Sequence, residues 1–268
     1  MARFAALVLA GRRGAEDPLA RSRGAVHKAL LDVGGVPMLV RVVRALRESP
    51  SIGSITVSID DPRALEAVPD LKAALAAGDL RVHRSLDSPS RSVSDALSGR
   101  TASEPVLVTT ADHALLTREI VEYFAEAAAS TEADLWVGVV SRSSLDARYP
   151  ETTRTYLRLR GERWTGANLF CFRSDLARRA AAFWVRAEQQ RKRPWRLAWA
   201  FGPRALLLFL LRRLDLDAAL ERASRAIGAR IGAIRLPFPE AAIDVDRPSD
   251  LALVERILAE RAAHPTGG

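Results

Sequence analysis

Acidic side chains stand at two points where an apolar stretch of the sequence is predicted to end as a strand. Asp112 lies two residues after the predicted strand 105–110. Asp244 and Asp246 form a pair near the end of the chain, and alternation along a strand places their carboxylates on one face. Ligands of open α/β sheets gather beyond the carboxyl ends of strands, and Mg²⁺ takes carboxylate oxygens together with substrate phosphates. The two groups are therefore predicted to meet around one Mg²⁺ ion. The alternative for Asp112 and Asp246 is the capping of the helices that follow.

A glycine- and arginine-rich loop follows the first apolar run of the chain. The run covers residues 4–10, and the loop begins Gly-Arg-Arg-Gly at residue 11 and continues to Lys28. Exposed backbone N–H groups and fixed positive charge converge in such a loop, which favours a phosphate site. The alternative is an ordinary turn between a strand and a helix on a basic surface. Lysine is scarce in this chain, so its presence inside the loop favours a specific role for Lys28.

Other reactive residue types show weaker patterns. His113 stands alone beside Asp112, which is typical of a packed or hydrogen-bonded histidine. Cys171 lies in an apolar strand, where burial is the expected role, and the sequence has no His/Cys cluster for zinc. The Gly-x-Ser-x-Gly elbow, the P-loop and the Gly-x-Gly-x-x-Gly pattern are also missing. These observations disfavour zinc chemistry, serine hydrolysis and dinucleotide binding.

The order of the predicted elements explains how these residues come together. Strands are predicted at 4–10, 52–59, 80–82, 105–110, 133–140, 155–160, 165–172 and 231–236. Helices are predicted from residue 38, at 63–75, from residue 92, and at 117–129, 176–190, 215–227 and 248–263. Strands and helices alternate through the first half, which predicts a layered α/β fold with a mainly parallel sheet.

Composition limits the class of protein. The 268 residues form one predicted domain, 1–268, with a helical insertion at about 174–228. The lone cysteine suits a reducing compartment, and no signal peptide or bilayer-spanning run is evident, so we expect a cytoplasmic protein. The net charge of +8 is almost all arginine. The whole chain is rich in Ala, Arg and Leu, which a base-composition bias in the genome would also produce. The positive charge is therefore not taken as evidence of nucleic-acid binding, and no nucleic-acid partner is expected.

Six segments, in this order, resemble the motifs of one family. They are 9–14 (Leu-Ala-Gly-Arg-Arg-Gly), 28–31 (Lys-Ala-Leu-Leu), 35–39 (Gly-Val-Pro-Met-Leu), 92–97 (Ser-Val-Ser-Asp-Ala-Leu), 109–116 (Thr-Thr-Ala-Asp-His-Ala-Leu-Leu) and 244–251 (Asp-Val-Asp-Arg-Pro-Ser-Asp-Leu). Together they resemble the GT-A-like NTP transferases, most closely the group of molybdenum cofactor guanylyltransferases and adenosylcobinamide-phosphate guanylyltransferases. The resemblance spans nearly the whole chain.

The resemblance implies a three-layer α/β/α fold with a mainly parallel mixed sheet, and a nucleotidyl transfer with release of pyrophosphate. Its catalytic residues would be Lys28, at the phosphates, and Asp112. Mg²⁺ would be held by Asp112 and Asp244, with Asp246 as a further ligand. The nucleotide-binding residues would be Leu9, Ala10, Gly11, Arg12, Arg13, Gly14, Lys28 and Ser92. Asn168, in a segment similar to the family's acceptor-side strand, would contact the second substrate.

The resemblance favours GTP or CTP as the NTP and a phosphorylated small molecule or lipid-linked compound as the acceptor. The sequence departs from the family at two places. Arg12 replaces a second glycine, and residues 15–17 (Ala-Glu-Asp) stand where an arginine is usual. Arg12, Arg13, Arg21 or Arg23 could supply the missing charge.

Residues 195–214, rich in Trp, Leu and Arg, are the least typical part of the chain. Their composition leaves four interpretations open: a buried helix, a lid on the acceptor pocket, a dimer interface or an amphipathic helix that lies on a membrane. Two other functions remain open. A GT-A glycosyltransferase would use a nucleotide-sugar, but usually carries an Asp-x-Asp where this chain has Ala111-Asp112-His113. A non-catalytic nucleotide-binding protein would account for the altered glycine loop.

Overall fold

The computed structural model describes residues 3–12, 17–100, 104–130, 132–189, 211 and 213–264. Within them one mixed sheet of eight strands forms the centre of the molecule. Its strands, with the two-stranded ribbon β2–β3, are β1 (Phe4–Leu9), β2 (Asp32–Val33), β3 (Val36–Pro37), β4 (Ile52–Ile59), β5 (Leu80–Arg84), β6 (Val106–Thr110), β7 (Leu135–Ser141), β8 (Leu157–Arg158), β9 (Arg163–Phe172) and β10 (Ile231–Arg235).

The sheet is mainly parallel, as the sequence predicts. Its order is β10-β7-β9-β6-β1-β4-β5, and β8 pairs with β9 outside this path. The neighbours β1–β4, β1–β6, β4–β5 and β10–β7 are parallel, and β9 runs antiparallel to β6, β7 and β8. The carboxyl ends of β1, β4, β5 and β6 therefore meet at one edge, where a parallel sheet collects its ligands.

Helices cover the sheet. They are α1 (Pro18–Ser22), α2 (Met38–Glu48), α3 (Arg63–Glu66), α4 (Pro69–Ala76), α5 (Pro89–Ser98), α6 (Arg118–Ser130), α7 (Arg142–Arg148), α8 (Ala177–Gln189), α9 (Leu216–Ile227) and α10 (Pro248–Ala263). Short 3₁₀ helices occupy Lys28–Leu30 and Pro239–Ala242.

Both faces of the sheet are buried, which explains the continuous apolar run of β1. Phe4, Ala6 and Val8 point into a core shared with α2, α6 and α10. Ala5 and Leu7 alternate to the other face, into a second core shared with α5 and α8. Helices on both faces make the predicted three-layer arrangement.

Several element boundaries differ from the sequence-based expectation. The predicted helix 63–75 is two helices, because Pro69 begins α4 and cannot continue the hydrogen bonding of α3. The helix expected from Ser92 begins earlier, at Pro89, and Ser88 caps it by accepting the N–H of Arg91. Pro in the first turn and Ser at the cap are the usual pair of helix-start signals. Helices α1 and α7 were not predicted.

The predicted helical insertion is described in part. Helices α8 and α9 lie within 174–228, close to their predicted bounds. Residues 190–210 and 212 lie outside the described residues, so the alternatives for 195–214 stay predictions. The division of the chain into a single domain also stays a prediction.

Candidate active site

A cavity of about 300 Å³ opens where the strands β1, β4, β5 and β6 end. Its volume lies at the lower end of the usual range for small-molecule sites. The predicted residues that line it are Leu9, Ala10, Gly11, Arg12, Lys28, Ser92, Asp112, Asn168 and Asp246. The structure thus brings residues from both ends of the chain to one cavity. Arg13 and Gly14, also predicted for the nucleotide, lie outside the described residues.

The loop after β1 approaches the loop after β5 closely at Gly11. A Cβ atom at this position would lie 2.6 Å from Ser85 Oγ and 2.9 Å from Ser85 Cβ. Such distances are shorter than van der Waals contact, so only glycine fits without movement. The side-chain oxygen of Ser85 is itself buried and has no hydrogen-bond partner among the described residues. Gly11 and Ser85 are therefore closely packed in the wall of the cavity, and Ser85 Oγ is available for a hydrogen bond.

Lys28 is placed by the residue before it. His27 begins the 3₁₀ helix and its Nδ1 accepts the N–H of Ala29 at 3.1 Å. The ring proton is then on Nε2, which donates to Asp60 Oδ1 at 2.9 Å. Asp60 directly follows β4, so the histidine ties the start of the 3₁₀ helix to the sheet. Lys28 is held at the cavity by this contact.

Asp60 also holds the glycine loop. Its carboxylate accepts the backbone N–H of Arg12 at 3.2 Å and the guanidinium Nε at 2.7 Å. Burial by itself would raise the pKa of Asp60, but the hydrogen bonds from His27 and Arg12 outweigh it and lower the pKa to about 2. Asp60 is therefore an anion that orders two parts of the loop. Sequence reasoning treated residues 60–62 as a simple turn and missed this role.

Lys28 bridges the two acidic segments. Its Nζ lies 2.6 Å from Asp246 Oδ1 and 3.3 Å from Asp112 Oδ2. Burial would lower the pKa of Lys28, but the charges of Asp112 and Asp246 outweigh it and the pKa is raised above its ordinary value. The ammonium group is thus a fixed positive charge that faces the cavity.

A single backbone hydrogen bond joins the acidic segments directly. The N–H of Val245 donates to the carbonyl oxygen of Asp112 at 3.1 Å. Asp244 and Asp246 flank this bond, and ligand atoms of the three carboxylates lie within 4.8 Å of one another. The segment follows the 3₁₀ helix Pro239–Ala242 and not a strand, contrary to the expectation. The predicted meeting of the three carboxylates is nevertheless observed.

The cluster has the chemistry of a site for a hard divalent cation. Its donors are carboxylate oxygens, the ligands that Mg²⁺ takes in proteins. Asp112 Oδ1 is buried without a hydrogen-bond partner among the described residues, and leaving such an atom unpaired is costly. At the start of α10 the cap position is Arg247, and Asp250 accepts the N–H groups of Asp246 and Arg247. The residues present therefore fit a metal ion.

Asp244 is oriented by two side chains that sequence reasoning did not connect to it. The guanidinium of Arg154 forms an ion pair with its carboxylate and donates to its carbonyl oxygen at 2.9 Å. Asn168 Nδ2 donates to Asp244 Oδ2 at 3.1 Å. Asn168 has a left-handed backbone with φ of 50°, next to an irregular stretch of the β7–β9 pairing. Asn168, predicted for the acceptor, thus contacts a carboxylate of the cluster.

Ser92 fixes the loop after β5, which lies against the glycine loop at Gly11 and Ser85. Its hydroxyl donates to the carbonyl of Ser88 and accepts the N–H of Leu86, both at 2.9 Å. The residue is buried at the first turn of α5. Ser92 therefore lies at the cavity, where the resemblance places the base or ribose, and it also fixes the loop after β5.

Two aromatic rings complete the cavity. Phe170 on β9 and Trp184 on α8 both line it, with ring centroids 5.7 Å apart and planes tilted by 31°. Asn168 and Phe170 are two residues apart on β9 and so share a face of the strand. The acceptor-side strand thus presents an amide and an apolar ring to the cavity.

His113 and Cys171 have the structural roles expected of them. Burial lowers the pKa of His113 to about 4, so its ring is neutral. Burial raises the pKa of the Cys171 thiol to about 12, so the nucleophilic thiolate is not populated near neutral pH.

Comparison with known proteins identifies the family. The sequence profile described as "MobA-like NTP transferase domain" matches residues 6–227 of this chain. The chain belongs to the MobA-like NTP transferase domain family. The matched residues include the glycine loop, Lys28 and Asp112, whereas Asp244 and Asp246 follow the matched region.

Solved structures share the fold of this MobA-like NTP transferase. A hypothetical transferase from Thermus thermophilus is 34% identical, with a TM-score of 0.75, and the alignment covers 93% of this chain and 99% of that one. CMP:2-keto-3-deoxy-manno-octonic acid synthetase complexed with CTP is 14% identical, with a TM-score of 0.57 and coverage of 97% and 100%. The 2-C-methyl-D-erythritol 4-phosphate cytidylyltransferase from Thermus thermophilus is 17% identical, with a TM-score of 0.54 and coverage of 97% and 100%. At this identity the last two show the fold alone.

No curated protein sequence matches the chain. Within the described part of the chain, no helix is both long and apolar enough to cross a bilayer.

Proposed function

We propose that this protein is a Mg²⁺-dependent nucleotidyltransferase that transfers NMP from an NTP to a small phosphorylated acceptor. The observation that carries the proposal is the position of Lys28. Its ammonium group lies between Asp112 and Asp246 at the cavity that the glycine loop borders. The ammonium group of Lys28 and a divalent ion that the carboxylate cluster would hold could neutralise a triphosphate from two sides.

In the proposed reaction an acceptor phosphate oxygen attacks the α-phosphorus of the NTP. The bond from that phosphorus to the oxygen that bridges to the β-phosphate breaks, and the electron pair leaves with pyrophosphate. Such a step needs positioning and charge neutralisation more than a covalent nucleophile. A bound Mg²⁺ would supply Lewis-acid neutralisation of the phosphate oxygens.

The chain's own residues have separate tasks in this proposal. Lys28 neutralises charge that develops on the phosphates, and Gly11 allows the loop backbone to approach them. Asp112, Asp244 and Asp246 hold the metal, and Ser92 fixes the loop beside the nucleotide. Asn168 is the proposed contact of the acceptor.

The identity of the NTP is proposed from two sources. The sequence resemblance favours GTP or CTP, and the titles of the fold neighbours name CTP and a cytidylyltransferase. We therefore propose GTP or CTP, with a phosphorylated small-molecule or lipid-linked acceptor. The membrane contact proposed for 195–214 belongs with the lipid-linked alternative.

Pyrophosphate release tests the function. The full chain is incubated with Mg²⁺, each of the four NTPs and a panel of phosphorylated acceptors, and release is compared between the parent, Lys28→Ala and Asp112→Asn. Removal of a charge that acts on the transition state should lower turnover by about 10²–10³-fold. Lys72→Ala is the matched control, because Lys72 is exposed on α4 and does not line the cavity.

The competing functions give different results in the same assay. A glycosyltransferase would release a nucleoside diphosphate from a nucleotide-sugar and no pyrophosphate. A non-catalytic nucleotide-binding protein would bind GTP or CTP in calorimetry without turnover. Unchanged turnover in Lys28→Ala or Asp112→Asn would contradict the proposed mechanism.

A further inference from the structure

Arg154 is a second cation inside the carboxylate cluster. It lies in the segment between α7 and β8, and its side chain is only 11% exposed. The guanidinium pairs with the Asp244 carboxylate, and Nη2 donates to the Asp244 carbonyl oxygen at 2.9 Å. Asn168 occupies the other carboxylate oxygen of Asp244. Arg154 therefore contacts the carboxylate of Asp244, which is a proposed ligand of the metal ion.

Lys28 and Arg154 neutralise most of the negative charge of the carboxylate cluster. Lys28 pairs with Asp112 and Asp246, and Arg154 pairs with Asp244. Three carboxylates and two cations leave one net negative charge at the place where a divalent ion would bind. Burial lowers the pKa of Arg154 from its ordinary value, against the opposing charges of Asp250, Asp246 and Asp112. Arginine remains protonated in proteins, so its charge persists.

Nucleotide binding changes this balance. In the proposed function Lys28 contacts the phosphates, which releases Asp112 and Asp246 from their ion pairs. The triphosphate also brings negative charge that favours the cation. A metal ion that arrives with the triphosphate therefore meets less repulsion than one that arrives alone, since Coulomb interactions are strong in a partly buried site.

We propose that Arg154 closes the carboxylate cluster to a free divalent cation, so that the metal enters as its complex with the nucleoside triphosphate. The inference rests on the proposed function for its metal ion. The opposite role is a supporting one, in which Arg154 orients Asp244 for the metal. The two roles predict opposite effects when the guanidinium is removed.

Mn²⁺ binding to the full chain separates the two roles without any turnover. The bound fraction is measured by the electron paramagnetic resonance of free Mn²⁺, with no nucleotide and with a CTP or GTP analogue that has an α,β-methylene bridge. Arg154→Gln should raise the affinity for free Mn²⁺ by about five- to tenfold, because one positive charge next to a divalent ion is lost. Arg148→Gln is the control, because Arg148 contacts the hydroxyl of Tyr149 and lies outside the cluster.

Unchanged or weaker Mn²⁺ affinity in Arg154→Gln would overturn the inference and assign Arg154 the supporting role. Thermal melts establish that each variant is folded. If Arg154→Gln does not fold, Arg154→Lys distinguishes the two roles by itself. The lysine side chain keeps the positive charge, but it is shorter and loses the forked contact to Asp244. The charge role predicts a Mn²⁺ affinity within about twofold of the parent, and the supporting role predicts a loss of more than about fivefold.

Failure of the proposed function and failure of the inference about Arg154 give different results. If no combination of NTP and acceptor yields pyrophosphate, the proposed function is wrong, even when Arg154→Gln gains Mn²⁺ affinity. If pyrophosphate is released as proposed and the gain is absent, the inference about Arg154 fails alone.

Discussion

Asp60 is the residue that connects the glycine loop to the lysine that follows it. Its carboxylate takes the guanidinium of Arg12 on one oxygen and the ring of His27 on the other. Arg12 is thereby held at the loop in the absence of any phosphate. Among the arginines that could supply the missing loop charge, Arg12 lines the cavity, whereas Arg23 pairs with Glu255 on α10.

Asp60→Asn should reduce stability in a way that depends on pH. The pKa of Asp60 is lowered to about 2 in the folded protein, below the value near 3.9 expected in an unfolded chain. A depressed pKa contributes stability that is fully present above about pH 4 and is lost as the pH falls towards 2. Since the side chain is partly exposed, we expect about 1 kcal/mol in the free energy of unfolding at pH 7. Denaturant titrations between pH 2 and 7 measure it.

The neighbouring carboxylate provides the control for this prediction. Asp61 contacts Arg63 within its own turn and is not bonded to the loop. Asp61→Asn should leave the free energy of unfolding nearly unchanged at pH 7. An Asp60→Asn variant with the same pH profile as the parent would contradict the role assigned to Asp60.

Asn168 combines a strained backbone with a contact to Asp244, and two substitutions separate these features. Asn168→Gly keeps the left-handed backbone, whereas Asn168→Ala should lose about 1 kcal/mol more, because a Cβ is disfavoured there. Both variants lose the hydrogen bond to Asp244, so both should weaken Mn²⁺ binding in the presence of the analogue to a similar degree. Thermal melts and Mn²⁺ titrations measure the two effects. Unchanged Mn²⁺ binding would leave acceptor binding as the role of Asn168.

At the scale of elements, the site depends on the fit between the loops that follow β1 and β5. Gly11 lies against Ser85, and the loop after β5 is fixed by Ser92 and Ser88 at the start of α5. Their separation is set by two registers, because β4 lies between β1 and β5. At the cavity end Leu9 pairs with Ser58, and Ile59 pairs with Arg84.

Gly11→Ala should therefore damage the site more than a surface glycine substitution does. A Cβ at residue 11 would lie 2.6 Å from Ser85 Oγ, so the loops must separate, and we expect about 1–3 kcal/mol of destabilisation with weaker nucleotide binding. Calorimetry with GTP or CTP and thermal melts measure the effects.

The control and the rescue follow from the same contact. At Gly99 a Cβ meets no described atom within 4 Å, so Gly99→Ala should have little effect. Ser85→Gly in the Gly11→Ala background removes the clashing atoms and should restore part of the lost stability. Ser85→Gly alone completes the cycle. If the loss of stability in the double variant equals the sum of the losses in the two single variants, the two residues are not coupled.

The sequence predicted the secondary-structure elements better than it predicted the contacts between distant residues. Apolar periodicity located most of the strands and long helices, because burial on one or two faces leaves a clear pattern. Lys28 and the three carboxylates were singled out from their residue types and positions, and the structure brings them together. Asp60, which contacts Arg12 and His27, and Arg154, which contacts Asp244, were missed. Each lies far along the chain from the residues it contacts, in a turn or irregular segment without a periodic signal.

At the scale of the whole molecule, the sheet brings the two ends of the chain together. β1 lies near the centre of the sheet, and the segment after β10 returns to Asp112 through the bond from Val245. The antiparallel strand β9 separates β6 from β7 and carries Asn168 and Phe170 to the cavity. The mixed sheet thus carries residues of both the proposed nucleotide side and the proposed acceptor side of the site.

The bond between Val245 and Asp112 has a consequence for synthesis of the chain. While the ribosome has made only residues 1–227, the glycine loop, Lys28 and Asp112 are present, but two of the three carboxylates are not. Lys28 then has Asp112 but not Asp246 as its counter-charge. The cluster can form only after Asp244 and Asp246 have been added, so a nascent chain that already contains the glycine loop, Lys28 and Asp112 still lacks the complete carboxylate cluster.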